Sequence, residues 1–141
     1  MLWINIDGLE LLKEIYGAIS ITPEISNEYG KFLPNWIIVE AVLDAKKIEL
    51  LQLELDLGEA SAIALAVEKE NSLLIIDERK GRAVAKRMGI KITGILGLLI
   101  KAKELGKIEN VKPFLEKLEN VNFRVSPKLK VQILKKVNEG I

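Results

Sequence analysis

The sequence predicts an α/β protein with a mostly parallel sheet that is covered by helices on both faces. One observation is the apolar run SLLIID (72–77), which is too compact to be a helix and is typical of a strand. The other is that GEASAIALAVEKE (58–70) before it and ERKGRAVAKR (78–87) after it both have helical spacing. An apolar strand between two helices indicates a parallel sheet that is buried on both faces.

The first part of the chain also predicts alternating helices and strands. Residues 6–16 have apolar side chains at helical spacing, and Gly17 provides a stop. The segment AISIT (18–22) is predicted to be a strand. In the next helix, within 21–30, Thr22 is expected to be the N-cap and Pro23 the first helical residue.

Later segments complete the prediction. A loop and a strand are expected within 31–42, and 43–55 forms either a short helix or an irregular link. IKITGI (90–95) is predicted to be a short edge strand, with Thr93 as N-cap of the helix that follows. Two final helices are expected to begin near Pro113 and at Ser126-Pro127.

Length and composition indicate one globular domain. The chain has 141 residues, of which 49% are hydrophobic and 29% charged. We expect a single domain, 1–141, with 110–141 as a C-terminal helical extension. The longest apolar run, 92–100, is far too short for a bilayer span, so we expect a cytoplasmic protein without a membrane partner. The many Lys, Glu and Ile residues hint at a thermophile.

The residue types exclude several chemistries. The sequence has no cysteine and no histidine, which removes disulfides, thiolate nucleophiles, the usual general base and a serine–histidine triad. It also lacks a phosphate-binding loop of the G-x-x-x-x-G-K-[ST] type. Catalysis would therefore depend on carboxylates, hydroxyls and a hard metal ion.

Two acids flank the central helix–strand unit. Asp77 directly follows the apolar strand, at the sheet edge where parallel sheets collect functional groups, and Glu59 lies in the first turn of the preceding helix. Together they could bind a divalent cation. Alternatively, Asp56 and Glu59 form a capping box, and Asp77 caps the helix that starts at Glu78.

The segment after Asp77 is the most basic in the chain. Its cations are Arg79, Lys80, Arg82, Lys86 and Arg87. They extend over about two and a half helical turns and could follow a phosphate backbone towards the acids. Alternatively, they form a solvated helix surface. The net charge of +1 neither requires nor excludes a nucleic-acid partner.

Five segments together resemble the PIN-domain superfamily, in its small prokaryotic branch. The resemblance is carried by GEASAIALA, by LLIIDERKGRAVAKR with its D-[DE]-x-x-[GA]-R pattern, and by TGILGLL. It extends to LPNWIIVEAV (33–42) and NFRVSPKLKVQIL (122–134), and so covers nearly the whole chain. Proteins of this type are metal-dependent ribonucleases or predicted ones, often toxins of toxin–antitoxin pairs.

The resemblance implies a fold, a site and partners. The fold is a three-layer α/β/α sandwich with a mostly parallel central sheet. Glu28 matches the last acid of a T-P-x-[VI]-x-x-E pattern, although on its own it could belong to a solvated helix face. The implied catalytic and metal-binding residues are thus Glu28, Glu59 and Asp77, with Mg²⁺ or Mn²⁺ as cofactor. The expected partners are single-stranded RNA, an antitoxin protein and a second copy of the chain.

The sequence departs from the family pattern at its start. In the family, a central strand with the first metal-binding aspartate precedes the first helix, whereas Met1 falls just after that point. We therefore expect this strand and its aspartate to be absent from the chain as given, and MLWIN (1–5) to fill part of the strand's place. Asp7 is either a substitute ligand or a solvated acid at the helix start. The loss would favour an alternative function, a PIN-like module that binds nucleic acid or protein and does not cleave.

Overall fold

The computed structural model of the protein describes residues 8–140. The first helix, predicted within 6–16, is α1, Gly8–Tyr16, in its described part, and Gly17 ends it with a left-handed backbone (φ +75°). The predicted strand role of MLWIN and the alternatives for Asp7 lie outside the described residues. The contacts of the chain form two compact units, one of residues 18–95 and one that combines 96–140 with α1.

Unit 18–95 contains short strands that alternate with helices. In chain order its elements are β1 (Ile19–Ile21), α2 (Pro23–Tyr29), β2 (Ile37–Val39), α3 (Ala45–Leu51), α4 (Leu57–Glu68), β3 (Leu73–Ile75), α5 (Arg79–Arg87) and β4 (Lys91–Thr93). For residues 43–55 the sequence allowed either a short helix or an irregular link, and the structure has the seven-residue helix α3 there. Asp44 caps α3 by accepting a hydrogen bond from the Lys47 amide.

The strands of this unit pair in parallel. β1 pairs with β2, with Ile19 opposite Ile37, and β3 pairs with β4, with Leu73 opposite Lys91. The predicted α/β class with parallel strands is confirmed. Within the described residues the strands form two separate pairs, and the helices that join them provide the crossovers that parallel pairing requires.

Helix α4 forms the centre of the core of this unit. Ala60, Ile63 and Ala64 are completely buried, and the apolar side of α5 packs into the same core through Val84 and Ala85. The alanines of α4 allow neighbouring backbones to approach closely, while Ile63 supplies bulk. Complete burial of a side chain like Ile63 stabilises the fold by roughly 1.5–3 kcal/mol. The sequence of α4 therefore fixes the position of the acid in its first turn.

The second unit is helical. Besides α1 it contains α6 (Ile95–Glu104), α7 (Lys112–Asn120) and α8 (Pro127–Lys136). The first residue of α6, Ile95, belongs to unit 18–95. The buried side chains of the helical unit include Leu12, Leu98, Leu115 and Leu134. As predicted, α8 begins at Pro127, and the Ser126 hydroxyl accepts a hydrogen bond from the Leu129 amide. In the described part of the chain, no helix is long and apolar enough to cross a membrane.

Candidate carboxylate site

A buried pair of hydroxyl groups joins helices α2 and α4. Thr22 caps α2 as predicted, because its Oγ1 accepts a hydrogen bond from the Ile25 amide at 3.2 Å. Thr22 Oγ1 also lies 2.7 Å from Ser61 Oγ in α4, and both residues are completely buried. Since Ser61 donates its single proton to the Gly58 carbonyl (2.8 Å), Thr22 is the donor to Ser61. This bond fixes α2, which carries Glu28, against the start of α4, which carries Glu59.

The start of α4 is a half-formed capping box. Asp56 is the N-cap, and its Oδ1 accepts a hydrogen bond from the Glu59 amide at 2.9 Å, which confirms the capping prediction for Asp56. The second hydrogen bond of a capping box, in which the Glu59 carboxylate would accept from the Asp56 amide, is not formed. Instead, Glu59 Oε2 is buried and has no hydrogen-bond partner among the described residues. A carboxylate oxygen in this state is costly unless another group or ion binds it.

Other acids surround Glu59. Burial, together with the nearby Asp56, Glu78 and Glu28, raises the pKa of Glu59 to about 7. These acids define an acidic cluster around the first turn of α4. Glu28 from α2 and Glu59 from α4 were both predicted site residues, and the structure places them in this one cluster.

Each of the three predicted acids lies against a buried glycine of a sequence motif. The pairs are Glu28 with Gly58 of the GEA motif, Glu59 with Gly81 of α5, and Asp77 with Gly94 before α6. A Cβ atom built on these glycines would lie 2.7, 2.8 and 2.5 Å from the respective carboxylate oxygen. Real Cβ atoms essentially never approach so closely, so each glycine leaves space for a carboxylate, and Gly81 also leaves space for Ile76, whose Cδ1 would lie 2.5 Å from the added Cβ.

Asp77 follows the apolar strand as predicted, but it caps a different helix from the one expected in the alternative. Its Oδ1 and Oδ2 accept hydrogen bonds from the Ile95 amide at 3.0 and 3.2 Å, so Asp77 caps α6 and does not cap α5. The prediction that it caps the helix after Glu78 is therefore wrong. The Thr93 prediction is also wrong, because α6 begins at Ile95 and the carboxylate of Asp77 binds its first amide. A contact between residues 18 positions apart outcompetes the local caps.

Asp77 as a whole residue is exposed, but its carboxylate is partly buried. This burial raises the pKa of Asp77, while the Ile95 hydrogen bond and the nearby Arg82 guanidinium partly offset the effect. Asp77 is not among the charges that act on Glu59. Within residues 8–140, no group of three or more acidic side chains is arranged to hold a metal ion.

Sequence reasoning missed Glu78 as a member of the acidic cluster. Glu78 follows Asp77 directly and is the N-cap residue of α5, where its side chain makes no capping hydrogen bond. The second acid of the D-[DE]-x-x-[GA]-R pattern was a signal for it. That signal was insufficient, because spacing alone does not tell which of two adjacent acids faces the start of α4.

The basic residues of α5 form two groups. Arg82 donates a hydrogen bond from Nη1 to the Ile76 carbonyl (2.8 Å), and Arg87 forms an exposed ion pair with Glu54 (3.2 Å). The other cations, Arg79, Lys80 and Lys86, are exposed and form no ion pair among the described residues. In the part of the chain that the structure describes, these three are the α5 cations available to an anionic ligand.

The comparison with protein families identifies the chain. The family model described as DUF3368: PIN domain matches residues 2–139. The chain therefore belongs to this PIN-domain family, which confirms the resemblance and the fold class. No curated protein and no solved structure matches the chain. Membership supports a nuclease-related module that binds nucleic acid, and PIN domains in general depend on divalent metal ions.

Proposed function

We propose that the protein is a metal-dependent endoribonuclease that hydrolyses phosphodiester bonds in single-stranded RNA with Mg²⁺ or Mn²⁺. The observation that carries the proposal is the convergence of Glu28 and Glu59 at the start of α4. Both carboxylates lie where a glycine leaves space for them, and the buried Oε2 atom of Glu59 lacks a hydrogen-bond partner among the described residues.

These residues fit a divalent metal ion. Carboxylate oxygens are the ligands that Mg²⁺ prefers, and an unpartnered buried oxygen is a position that a cation would stabilise. Glu28 and Glu59 would hold the ion. Asp77 is the third proposed ligand, because one backbone amide does not occupy all of the roughly four lone-pair sites of its carboxylate. It would have to move towards Glu28 and Glu59, since the described side chains form no group of three acids arranged around an ion. The bound ion would lower the pKa of a water molecule and neutralise charge on the phosphate.

The proposed role of α5 is to bind the RNA backbone. Arg79, Lys80 and Lys86 are exposed on the helix that begins directly after Asp77 and Glu78. Cations at this position attract phosphates without reading bases, so we expect little sequence preference from this helix. Arg82 and Arg87, also proposed as RNA-binding residues, have contacts within the chain that make their share smaller.

The test of catalysis is cleavage of a fluorescently labelled single-stranded RNA in the presence of Mn²⁺. Glu59→Gln removes the charge but keeps the size, and we expect kcat/KM to fall by at least about 100-fold, the upper end of the loss caused by outer-shell partners of metals. Glu70→Gln, at an exposed position just beyond α4, is the matched control and should cleave like the wild type. Equal cleavage by wild type and Glu59→Gln, or undiminished cleavage in EDTA, would refute the proposal.

A second candidate function is binding of RNA without cleavage. It is favoured by the engagement of Asp77 with the Ile95 amide, which leaves two of the three proposed ligands in the acidic cluster. The same RNA distinguishes the two candidates. Binding measured by fluorescence anisotropy, with no cleavage at any Mn²⁺ concentration, would support the binding module.

The proposal extends to protein partners and to the cellular setting. Large apolar side chains are exposed in unit 18–95, namely Phe32 (99%), Leu43 (91%) and Leu53 (83%). We propose that these side chains contact a protein partner, either an antitoxin protein or a second copy of the chain, and that the protein acts in the cytoplasm as a toxin. Light scattering of the purified protein tests for the dimer, and co-purification from its own source tests for the antitoxin.

A further inference from the structure

We infer that Gly58 is a positioning residue for Glu28: the missing side chain at position 58 lets the Glu28 carboxylate lie beside the first turn of α4. The inference concerns a contact within the chain. Its meaning for metal binding rests on the proposed function.

The first step of the argument is the space around Gly58. Gly58 is buried, and a Cβ atom there would lie 2.7 Å from Glu28 Oε2 and 3.7 Å from both Asp56 Oδ1 and Ile25 Cγ1. The closest of these atoms is the end of a flexible side chain, whereas the other two are at ordinary contact distances. An added methyl group would therefore act mainly on the carboxylate of Glu28.

The second step is that the backbone around Gly58 cannot easily yield. The Gly58 carbonyl accepts the Ser61 hydroxyl, which in turn accepts from Thr22, and both hydroxyl residues are completely buried. On the other side, Asp56 holds the Glu59 amide at 2.9 Å. Because α2 and α4 are fixed by these bonds, a methyl group at position 58 would displace the Glu28 carboxylate and leave the two helices in place.

The third step separates this role from a structural one. Gly58 lies within α4, where alanine favours the helix more than glycine does. If Gly58 had no function beyond the helix, Gly58→Ala would stabilise the protein and leave ligand binding unchanged. A positioning role predicts that the gain in stability depends on Glu28 and that metal binding weakens.

The first experiment measures thermal unfolding without metal, in EDTA, for the wild type, Gly58→Ala, Glu28→Ala and the double variant. We expect Gly58→Ala to raise the Tm more in the Glu28→Ala background than in the wild type, because the clashing carboxylate is gone. Additive effects of the two substitutions on Tm would overturn the inference.

The second experiment measures Mn²⁺ affinity by isothermal titration calorimetry. We expect Gly58→Ala to weaken binding about tenfold, the size of effect seen when a ligand loses its support. The control is Gly140→Ala, at a position with ordinary backbone and no described atom within 4 Å of an added Cβ, which should bind like the wild type. An unchanged Kd for Gly58→Ala would overturn the inference.

The two experiments separate the inference from the proposed function. Wild-type protein that does not bind Mn²⁺, or a Glu28→Ala variant that binds it as well as the wild type, would refute the metal site. The coupling between positions 28 and 58 in Tm would still stand or fall on its own, because it is measured without metal.

Discussion

At the residue scale, Glu139 accepts more hydrogen bonds than any other carboxylate in the described part of the helical unit. Its Oε2 accepts hydrogen bonds from the Val111 amide (2.6 Å) and from Lys103 Nζ (3.1 Å), and its Oε1 accepts one from the Lys112 amide (3.0 Å). Val111 is the N-cap residue of α7 and makes no side-chain capping bond. A carboxylate from 27 residues away thus caps this helix and balances its positive end.

The contacts of Glu139 make stability depend on pH. Burial would raise the pKa of Glu139, but the three hydrogen bonds outweigh it and the pKa is lowered. In the unfolded chain Glu139 takes up its proton at higher pH than in the folded one. The contribution of Glu139 to the free energy of unfolding is therefore complete above its pKa in the unfolded chain, and it is lost as the pH falls through its pKa in the folded chain.

We predict that Glu139→Gln lowers the free energy of unfolding by about 1–2 kcal/mol at neutral pH, because the charge that strengthens these hydrogen bonds is lost. Urea unfolding at neutral pH and in acid checks this. The difference from the wild type should shrink in acid, where both side chains are neutral. Glu116→Gln, at an exposed position in α7, serves as control, and an equal difference at both pH values would contradict the prediction.

Individual caps could be predicted from the sequence where cap and helix are adjacent. Thr22, Asp56 and Ser126 precede their helices directly, so the hydrogen bond is already visible in the residue pattern. Asp77 and Glu139 cap helices that begin far away in the sequence. Their partners depend on tertiary packing, which no local pattern contains.

At the element scale, the α2–α4 pair depends on the Thr22–Ser61 bond. Ser61→Ala leaves the buried Thr22 hydroxyl without its acceptor, and we predict a loss of about 1–3 kcal/mol in the free energy of unfolding. Thr22→Val also removes the cap of α2. In urea unfolding, the double variant should lose less free energy of unfolding than the two single variants lose in sum, by about 0.5 kcal/mol or more. Strict additivity would show that the hydroxyl pair contributes nothing as a pair.

Helix α3 shows why the chain between the strands was harder to predict. The segment is short, and part of its fixation comes from Glu68 at the end of α4, which accepts hydrogen bonds from the Leu43 and Asp44 amides at 2.9 Å each. The sequence shows the capping residue Asp44 but not this anchor. The hydrogen bond that holds the start of this helix is accepted by a carboxylate 24 residues further along the chain.

At the scale of the whole molecule, charge is balanced overall and concentrated locally. The net charge is +1, so general attraction to RNA is small, and binding should depend on the three exposed cations of α5 that form no ion pair within the described chain, Arg79, Lys80 and Lys86. We predict that the logarithm of the RNA association constant falls with the logarithm of salt concentration with a slope of about −2, which is about 0.7 for each of three phosphate contacts.

Fluorescence anisotropy with single-stranded RNA at several salt concentrations measures this slope. Lys80→Glu should weaken binding and flatten the slope, because one phosphate contact is lost and repulsion is added. Lys135→Glu in α8 makes the same change of charge at an exposed position outside α5 and is the control. If both variants bind alike, α5 is not the RNA-binding surface.

The fold class and the family could be predicted, but the arrangement of strands could not. The apolar run before Asp77 and its flanking helices are long enough to indicate a parallel α/β protein. Each strand, however, has only three residues in the structure, for example Leu73–Ile75, and so short a pattern does not determine its neighbours. The two parallel pairs, β1 with β2 and β3 with β4, depend on tertiary packing, which a three-residue pattern does not contain.

The glycines beside the three acids have a consequence for how this chain can change over generations. In a helix, glycine costs roughly 0.5–1 kcal/mol relative to alanine, so replacement of Gly58 by alanine would gain stability once the Glu28 carboxylate no longer had to lie beside it. A lineage that no longer used its acids would be free to accept such replacements. One that still uses them would lose function with the same step. We therefore expect relatives that keep one of these acids to keep its glycine as well, and relatives that lose the acid to replace the glycine freely.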